Sequence, residues 1–332
     1  MYAIMLDFWS ILMDLRMVLI LMEKDIIYSL KSPCRDELRV RGYRFGKGEK
    51  SVCIMGAIRG NEVQQLYICS QIINKLKELE SKGAIVNNHE ILVVPSVNHY
   101  AMNIDKNFWA VNNTDINRMF PGSFEGETTK RIAAGIFEQV KGYSYGIHFT
   151  SFYMPGDFIP HVRMMETGYQ SASLANLFGL PYVVIRKPRP FDMATLNYNW
   201  QMTGTCGFSI YTNQTNEIDE ESATQAVSAV FRFLTRMGII HYQCHSGYIA
   251  SVVQEEEMTS LYAESAGIYR SLIKVGEEVH RGQVLAEIIH PYEGYVIDNI
   301  VSPTEGIVFF AITKPLVNQN DVSCKIIRRL HK

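Results

Sequence analysis

The stretch Cys53-Ile54-Met55-Gly56-Ala57-Ile58-Arg59-Gly60-Asn61-Glu62 narrows the folds open to this chain. Six apolar or small residues run without a polar break, which is the pattern of a strand buried inside a sheet. A glycine turn carrying Arg59 and Glu62 ends the run. Helical spacing follows over Glu62–Ser81, with Val63, Leu66, Ile73, Leu76 and Leu79 on one face and Lys and Glu on the other. Strand, turn and helix in that order make an α/β unit. In such a sheet, ligands bind beyond the carboxyl ends of the strands, so Arg59 and Glu62 mark a candidate site.

The rest of the chain repeats the alternation. Strands are expected at Ser51–Ile58, Glu90–Pro95, Tyr145–Phe149, Tyr182–Arg186 and Gly207–Thr212, and helices at Thr128–Val140, Ser171–Phe178 and Ala223–Met237. A long polar and aromatic loop spans Asn98–Gly122. The pattern predicts a mostly parallel mixed sheet flanked by helices. After Ile240 helical periodicity stops. Short β-type runs follow, separated by Gly247, Gly267, Gly276, Gly282, Gly294 and Gly306. A boundary is therefore expected near 241–246, giving an α/β domain over 23–240 and a small all-β, barrel-like domain over 241–332. Residues 1–22 are apolar, but Asp7, Asp14 and Arg16 interrupt them, so they suit neither a signal peptide nor a membrane span. They read either as an over-extended start, with the natural chain beginning near Met22, or as a short helix packed on the domain.

Charge and cysteine usage exclude some classes. A net charge of −2 over 332 residues gives no field that favours nucleic acid or an anionic membrane. The six cysteines are scattered with no CxxC pair, which fits a reduced, cytoplasmic protein rather than a disulfide framework. Cys53 reads as a buried thiol.

Four motifs then fall in a recognisable order. They are Gly56-Ala57-Ile58-Arg59-Gly60-Asn61-Glu62, Asp115-Ile116-Asn117-Arg118-Met119-Phe120-Pro121-Gly122, Gly146-Ile147-His148-Phe149-Thr150, and the strand and helix start from Gly207 to Glu221. Over about residues 40–240 the chain resembles the succinylglutamate desuccinylase/aspartoacylase family, a branch of the zinc carboxypeptidase fold. The second motif matches the family pattern Asp-Leu-Asn-Arg-x-Phe-Pro-Gly almost throughout. The resemblance implies hydrolysis of an amide or ester bond in a small N-acyl amino acid or related carboxylate. It further implies a zinc ion held by a His and a Glu of the first motif and the His of the third.

Two of the implied roles are altered here. Glu62 and His148 stand at metal-ligand positions, but Arg59 occupies the place of the first His. Arginine has no lone pair to donate and keeps its charge. Either His161 replaces the missing ligand or it is an ordinary loop histidine. A third alternative is that Arg59 pairs with Glu62 and its guanidinium stands where zinc would. At the position of the family's catalytic Glu the alignment places Tyr211, a poor base at neutral pH. Glu217 lies six residues further along.

The substrate side is better kept. Asn117 and Arg118 match the pair that holds the substrate carboxylate in the family, and a guanidinium fork suits that role. Lys106 is the nearest upstream cation for polarising a carbonyl. Arg163, Arg186, Lys187 and Arg189 either rim an acidic-ligand pocket or form a solvated charge run. The cluster Leu196-Asn197-Tyr198-Asn199-Trp200-Gln201 either closes over a ligand or packs as a turn. The segment from Ala266 to Val308 resembles a biotinyl/lipoyl-type β domain, yet Tyr292-Glu293-Gly294-Tyr295-Val296 offers no lysine, so neither biotin nor lipoyl attachment is expected. The expected partner is a small carboxylate-bearing molecule, with no nucleic acid or membrane, and the chain is a candidate homo-oligomer. Three readings remain: a metal-dependent hydrolase with an atypical site, a metal-free carboxylate-binding pseudoenzyme, or a hydrolase with relocated machinery, using His161 as ligand and Glu217 or another carboxylate as base.

Overall fold

The computed structural model describes residues 23–34, 36–151, 155–213 and 216–328. The two readings of residues 1–22 therefore lie outside the described residues. In chain order the first strands are β1 (Glu23–Leu30), β2 (Leu38–Gly46), β3 (Gly48–Ala57), β4 (Asn88–Ser96), β5 (Tyr145–Phe149), β6 (Gly156–Phe158), β7 (His161–Met165), β8 (Tyr182–Arg186), β9 (Cys206–Tyr211) and β10 (Ser251–Gln254). All but β6 join one nine-stranded sheet in the order β1-β2-β4-β3-β5-β9-β7-β8-β10. Pairing is parallel through β4, β3, β5 and β9 and again through β7, β8 and β10. It is antiparallel at β1/β2, β2/β4 and β7/β9. This is the expected mixed α/β sheet.

The helices are α1 (Val63–Ser81), α2 (His99–Met102), α3 (Thr128–Val140), α4 (Ala172–Asn176), α5 (Leu196–Met202) and α6 (Glu220–Arg236). Alternate residues of β3 face opposite layers, as a strand requires. Val52 and Ile54 pack with Ile68, Ile72 and Leu76 of α1 and Val230 and Phe233 of α6. Cys53 and Met55 pack on the other face with Ile132 and Ile136 of α3 and Leu196 and Trp200 of α5. Ile68, Ile72 and Leu76 recur every fourth residue, so one stripe of α1 is fully buried. Truncating such a residue, for example Leu76→Ala, costs about 2–5 kcal/mol. Cys53 is buried as expected, and burial raises its thiol pKa well above the ordinary value.

The carboxyl end of β3 sits at a topological switch. The chain crosses through α1 to β4 on one side of β3, then returns through α3 to β5 on the other. A crevice opens at such a point. Gly60 is required there, because a Cβ would meet the Lys106 carbonyl oxygen at 2.1 Å. The Gly60 N–H donates to the Asn107 carbonyl at 2.8 Å, clamping the turn to the loop after α2.

Beyond the large sheet, the strands are β11 (Thr259–Tyr262), β12 (Gly267–Ser271), β13 (Glu278–Val279), β14 (Val284–Ile289), β15 (Val296–Val301), β16 (Gly306–Ile312), β17 (Leu316–Val317) and β18 (Val322–Arg328). They pair antiparallel in two sheets, β11-β18-β16-β13 and β15-β14-β12-β17. The division from the α/β part differs from the expected break near 241–246. β10 follows that point yet pairs with β8 in the large sheet, Ser251 opposite Tyr182. Conversely β6 leaves the α/β part and pairs with β16, Phe158 opposite Phe310. Apolar burial drives the exchange, since Phe158, Tyr182 and Val184 share one core with Tyr269, Phe309 and Phe310. Among the described residues no helix is long and apolar enough to cross a membrane.

Candidate functional site

The carboxyl ends of β3, β5 and β9 deliver the motif residues to one cleft. Its lining includes Arg59, Asn117, Arg118, His148, Thr150, Ser151, Arg186, Asp192, Asn197, Ser209 and Tyr211 around a cavity of about 50 Å³. Three guanidinium groups and one carboxylate, Asp192, contribute the formal charge of that lining.

Glu62 lies behind Arg59, 1% exposed, and both of its oxygens are engaged. Oε2 accepts from the backbone N–H groups of Ile58 and Arg59, each at 2.9 Å. Oε1 accepts from the Ser151 hydroxyl at 2.5 Å, the Ser151 N–H at 3.2 Å and Arg59 Nη1 at 3.4 Å. Arg59 is held as firmly. Its Nε and Nη2 form a fork on Asp115, with Nη2 to Oδ2 at 2.8 Å, and Nη1 also donates to Ser151 Oγ at 3.1 Å. Burial opposes the Arg59 charge, but Glu62 and Asp115 outweigh it and raise the pKa above its ordinary value.

Arg118 continues the ionic chain. Its Nη1 donates to the Phe191 carbonyl at 2.9 Å and lies 3.3 Å from Asp192 Oδ1, while its Nε lies 3.9 Å from Asp115. The guanidinium also rests 4.9 Å from the Phe191 ring centre. Arg186 Nη2 meets the same Asp192 oxygen at 2.6 Å. Buried Asp192 thus sets the spacing of two cleft guanidinium groups, and its Oδ2 accepts from the Arg189 N–H at 2.9 Å. Arg118 keeps 28% of its side chain exposed against 8% for Arg59, so it is the more accessible of the two. Asn117 accepts from the Leu196 N–H at 3.3 Å, tying the second motif to the start of α5.

His148 is 2% exposed. Its Nδ1 lies 3.1 Å from Asn197 Oδ1, and Asn197 Nδ2 in turn donates to Ser209 Oγ. Burial first, and the Arg59 charge second, push its pKa down to about 3. The ring is therefore neutral across the physiological range. Its Nε2 is buried with no hydrogen-bond partner among the described residues.

The structure brings Arg59, Asn117, Arg118, His148 and Tyr211 together, with Glu62 directly behind. Lys106 is exposed and does not line the cleft. His161 is not on a polar loop but in β7, fully buried. It stacks on Tyr211 with ring centres 5.0 Å apart, and its Nδ1–H donates to the Ile159 carbonyl at 2.8 Å. Phe158 and Phe309 enclose it, which explains why the strand carries it into the core. Glu217 is exposed and outside the lining. Of the rim candidates, Arg186 lines the cleft, whereas Arg163 is buried over the Tyr211 ring, 4.5 Å from its centre. The Leu196–Gln201 cluster is helix α5: Trp200 packs against Gly146 and donates to the Val140 carbonyl at 3.0 Å, while Asn197 reaches the cleft. The sequence points to no role for Asp115, Ser151, Asp192 or Ser209, whereas Asn197 stands within the Leu196–Gln201 cluster. Asp115 lay inside a quoted motif and could have been found there. Asp192 matches no motif, since it is the fold that sets it between Arg186 and Arg118, the latter 74 residues away.

A family model of the succinylglutamate desuccinylase/aspartoacylase catalytic domain matches residues 48–237, more than half of the chain. The chain belongs to this family. The family is one of hydrolases of N-acyl amino acids. An aspartoacylase family protein from Mesorhizobium loti is 19% identical, with a TM-score of 0.76 over 94% of this chain and 96% of that one. The product-bound ectoine utilization protein EutE from Ruegeria pomeroyi is 16% identical, with a TM-score of 0.77 over 92% of this chain and 94% of its own. A succinylglutamate desuccinylase/aspartoacylase from Rhodobacter sphaeroides is 18% identical, with a TM-score of 0.73 over 89% and 91%. At these identities the likeness is one of fold. No curated protein matches the chain in sequence.

Proposed function

We propose that this family member binds a small carboxylate-bearing molecule of the N-acyl amino acid type in a cleft that works without zinc. The observation that carries this reading is the saturation of Glu62. A zinc ligand must offer a lone pair to the metal. Glu62 already accepts from two backbone N–H groups on one oxygen and from Ser151 and Arg59 on the other. Arg59 then places a fixed positive charge beside His148, where a divalent cation would be repelled. Among the described residues no group of three or more His, Cys, Asp or Glu is arranged to hold a metal ion. The residues present therefore do not fit the family's metal.

What the cleft offers instead is anion recognition. Arg118, accessible and braced by Asp192, presents its fork to a carboxylate with Asn117 beside it. Arg59 and Arg186 add positive potential that polarises a carbonyl or holds a second anionic group. Tyr211 closes one wall.

The test is metal analysis of the purified protein together with calorimetric titration of N-acetylglutamate and N-acetylaspartate. Expected are substoichiometric zinc and saturable binding that survives chelator treatment and is lost in Arg118→Ala. Stoichiometric zinc, or binding unchanged in Arg118→Ala, would refute the reading.

A further inference from the structure

We propose that His148 acts as a specificity determinant: its Nε2 accepts a hydrogen bond from the amide N–H of the bound molecule, so the cleft selects secondary amides over tertiary amides and esters. This rests on the preceding carboxylate-binding reading.

Two ring nitrogens of His148 have different surroundings. Nδ1 faces Asn197 Oδ1 at 3.1 Å, whereas Nε2 is buried without a partner among the described residues, on a side chain that lines the cleft. An amide oxygen can only accept, so Nδ1 carries the proton and Nε2 carries a lone pair. The opposite arrangement would turn the Asn197 amide over and put an N–H on Nε2. That would aim the positive end of a dipole into the field of the neighbouring Arg59 guanidinium. The lone pair is the form that field favours.

A buried acceptor left unpaired is costly, and a ligand that supplies a donor removes that cost. The charged side chains of the lining cannot substitute. Arg59, Arg118 and Arg186 are donors only, and Asp192 is already taken up by Arg118, Arg186 and the Arg189 N–H. A ligand therefore meets guanidinium donors for its carboxylate and an imidazole acceptor for its N–H. N-acyl amino acids hold those two groups one carbon apart. N-methylated amides and esters keep the carboxylate but lack the hydrogen, and they would bury the Nε2 lone pair against a methyl group or an oxygen. A site built to pair with a polar hydrogen rejects an analogue that lacks it.

The experiment titrates the full chain with N-acetylglutamate and N-acetyl-N-methylglutamate, in wild type, His148→Leu and Arg118→Ala. Wild type is expected to prefer the secondary amide by about tenfold or more, the effect of one unpaired buried acceptor. His148→Leu should bring the two affinities to within about twofold by removing that acceptor. Arg118→Ala should weaken both alike. A second measurement guards against a misfolded variant: imidazole 15N spectra of the wild type, with the His148 signals assigned by their loss in His148→Gln. They should show an unprotonated Nε2 whose resonance moves upfield on adding N-acetylglutamate. Equal affinities in wild type with Arg118 dependence intact would overturn the role of His148 and leave carboxylate binding standing. A ring protonated at Nε2 would overturn it too. Failure of wild type to bind either compound, or zinc on Nε2, would remove the carboxylate-binding reading and this inference with it.

Discussion

Arg59 and Arg163 are guanidinium groups of similar burial, 7% and 4% exposed, and both come close to Tyr211, yet they keep different company. Arg59 is joined to Glu62 and Asp115, all close to the chain ends of β3 and the second motif, and it lines the cleft. Arg163 faces the aromatic ring and Glu255, which Lys325 of β18 meets at 2.8 Å. That second cluster joins the large sheet to the antiparallel strands. The difference teaches that a buried cation has no function by itself. Partners gathered at one strand-end cleft hold a cation at the cleft wall, whereas partners from two sheets make a fastener.

The sharpest way to break the comparison is Arg59→Met. It leaves buried Glu62 and half-buried Asp115 without their cation and should cost about 3–5 kcal/mol in denaturant unfolding. Arg59→His is the more informative variant. It restores a His, Glu and His set, and it should take up about one zinc per chain by metal analysis, with a rise in Tm on adding zinc. If Arg59→His takes up none, the Arg59 charge is not what keeps metal away.

Glu255→Gln tests the fastener. Removing its charge leaves Arg163 and Lys325 opposed, and the protein should lose about 3 kcal/mol of stability with little change in carboxylate affinity. The pH dependence follows from the carboxyl pKa. Burial pushes it up, but Arg163 and Lys325 prevail and hold it at about 2. A depressed folded-state pKa gives stability that is fully present above the ordinary carboxylate range and is lost as pH falls through it towards the folded value. The gap between wild type and Glu255→Gln should therefore be constant near neutrality and close on acidification below about pH 4. A gap that has not shrunk by pH 2 would assign the loss to packing. A smaller effect is expected from Asp192→Asn, which loosens Arg118 and Arg186: ligand affinity should fall about fivefold to tenfold while Tm moves by a few degrees.

Much of the large sheet and the Arg59–Glu62 turn are readable in the sequence because their signals are local. Tyr145–Phe149, Tyr182–Arg186 and Thr128–Val140 fall where their apolar patterns place them. Arg59 beside Glu62 was legible for the same reason, being three residues apart on one turn. His161 is misplaced by the sequence because Pro160 reads as a loop breaker and Arg163 is charged, and only tertiary packing against Phe158, Phe309 and Tyr211 makes the segment a core strand. Asn197 stands in a cluster that the sequence leaves open, and Asp192 gives no signal because only the fold brings Arg118 and Arg186 to it. The break near 241–246 failed to divide the sheets because composition changes before hydrogen bonding does.

The exchange of β6 and β10 between the two parts bears on how this protein could be dissected. A chain ended at residue 240 would lose the strand that covers the β8 edge and would strip β6 of its partner β16. Both would then present open backbone, and Phe158, Tyr182 and Val184 would lose the aromatic layer that roofs them. Such a fragment should be prone to self-association through those edges. The two parts are better regarded as one cooperative unit with an interlocked seam than as a core carrying a detachable module.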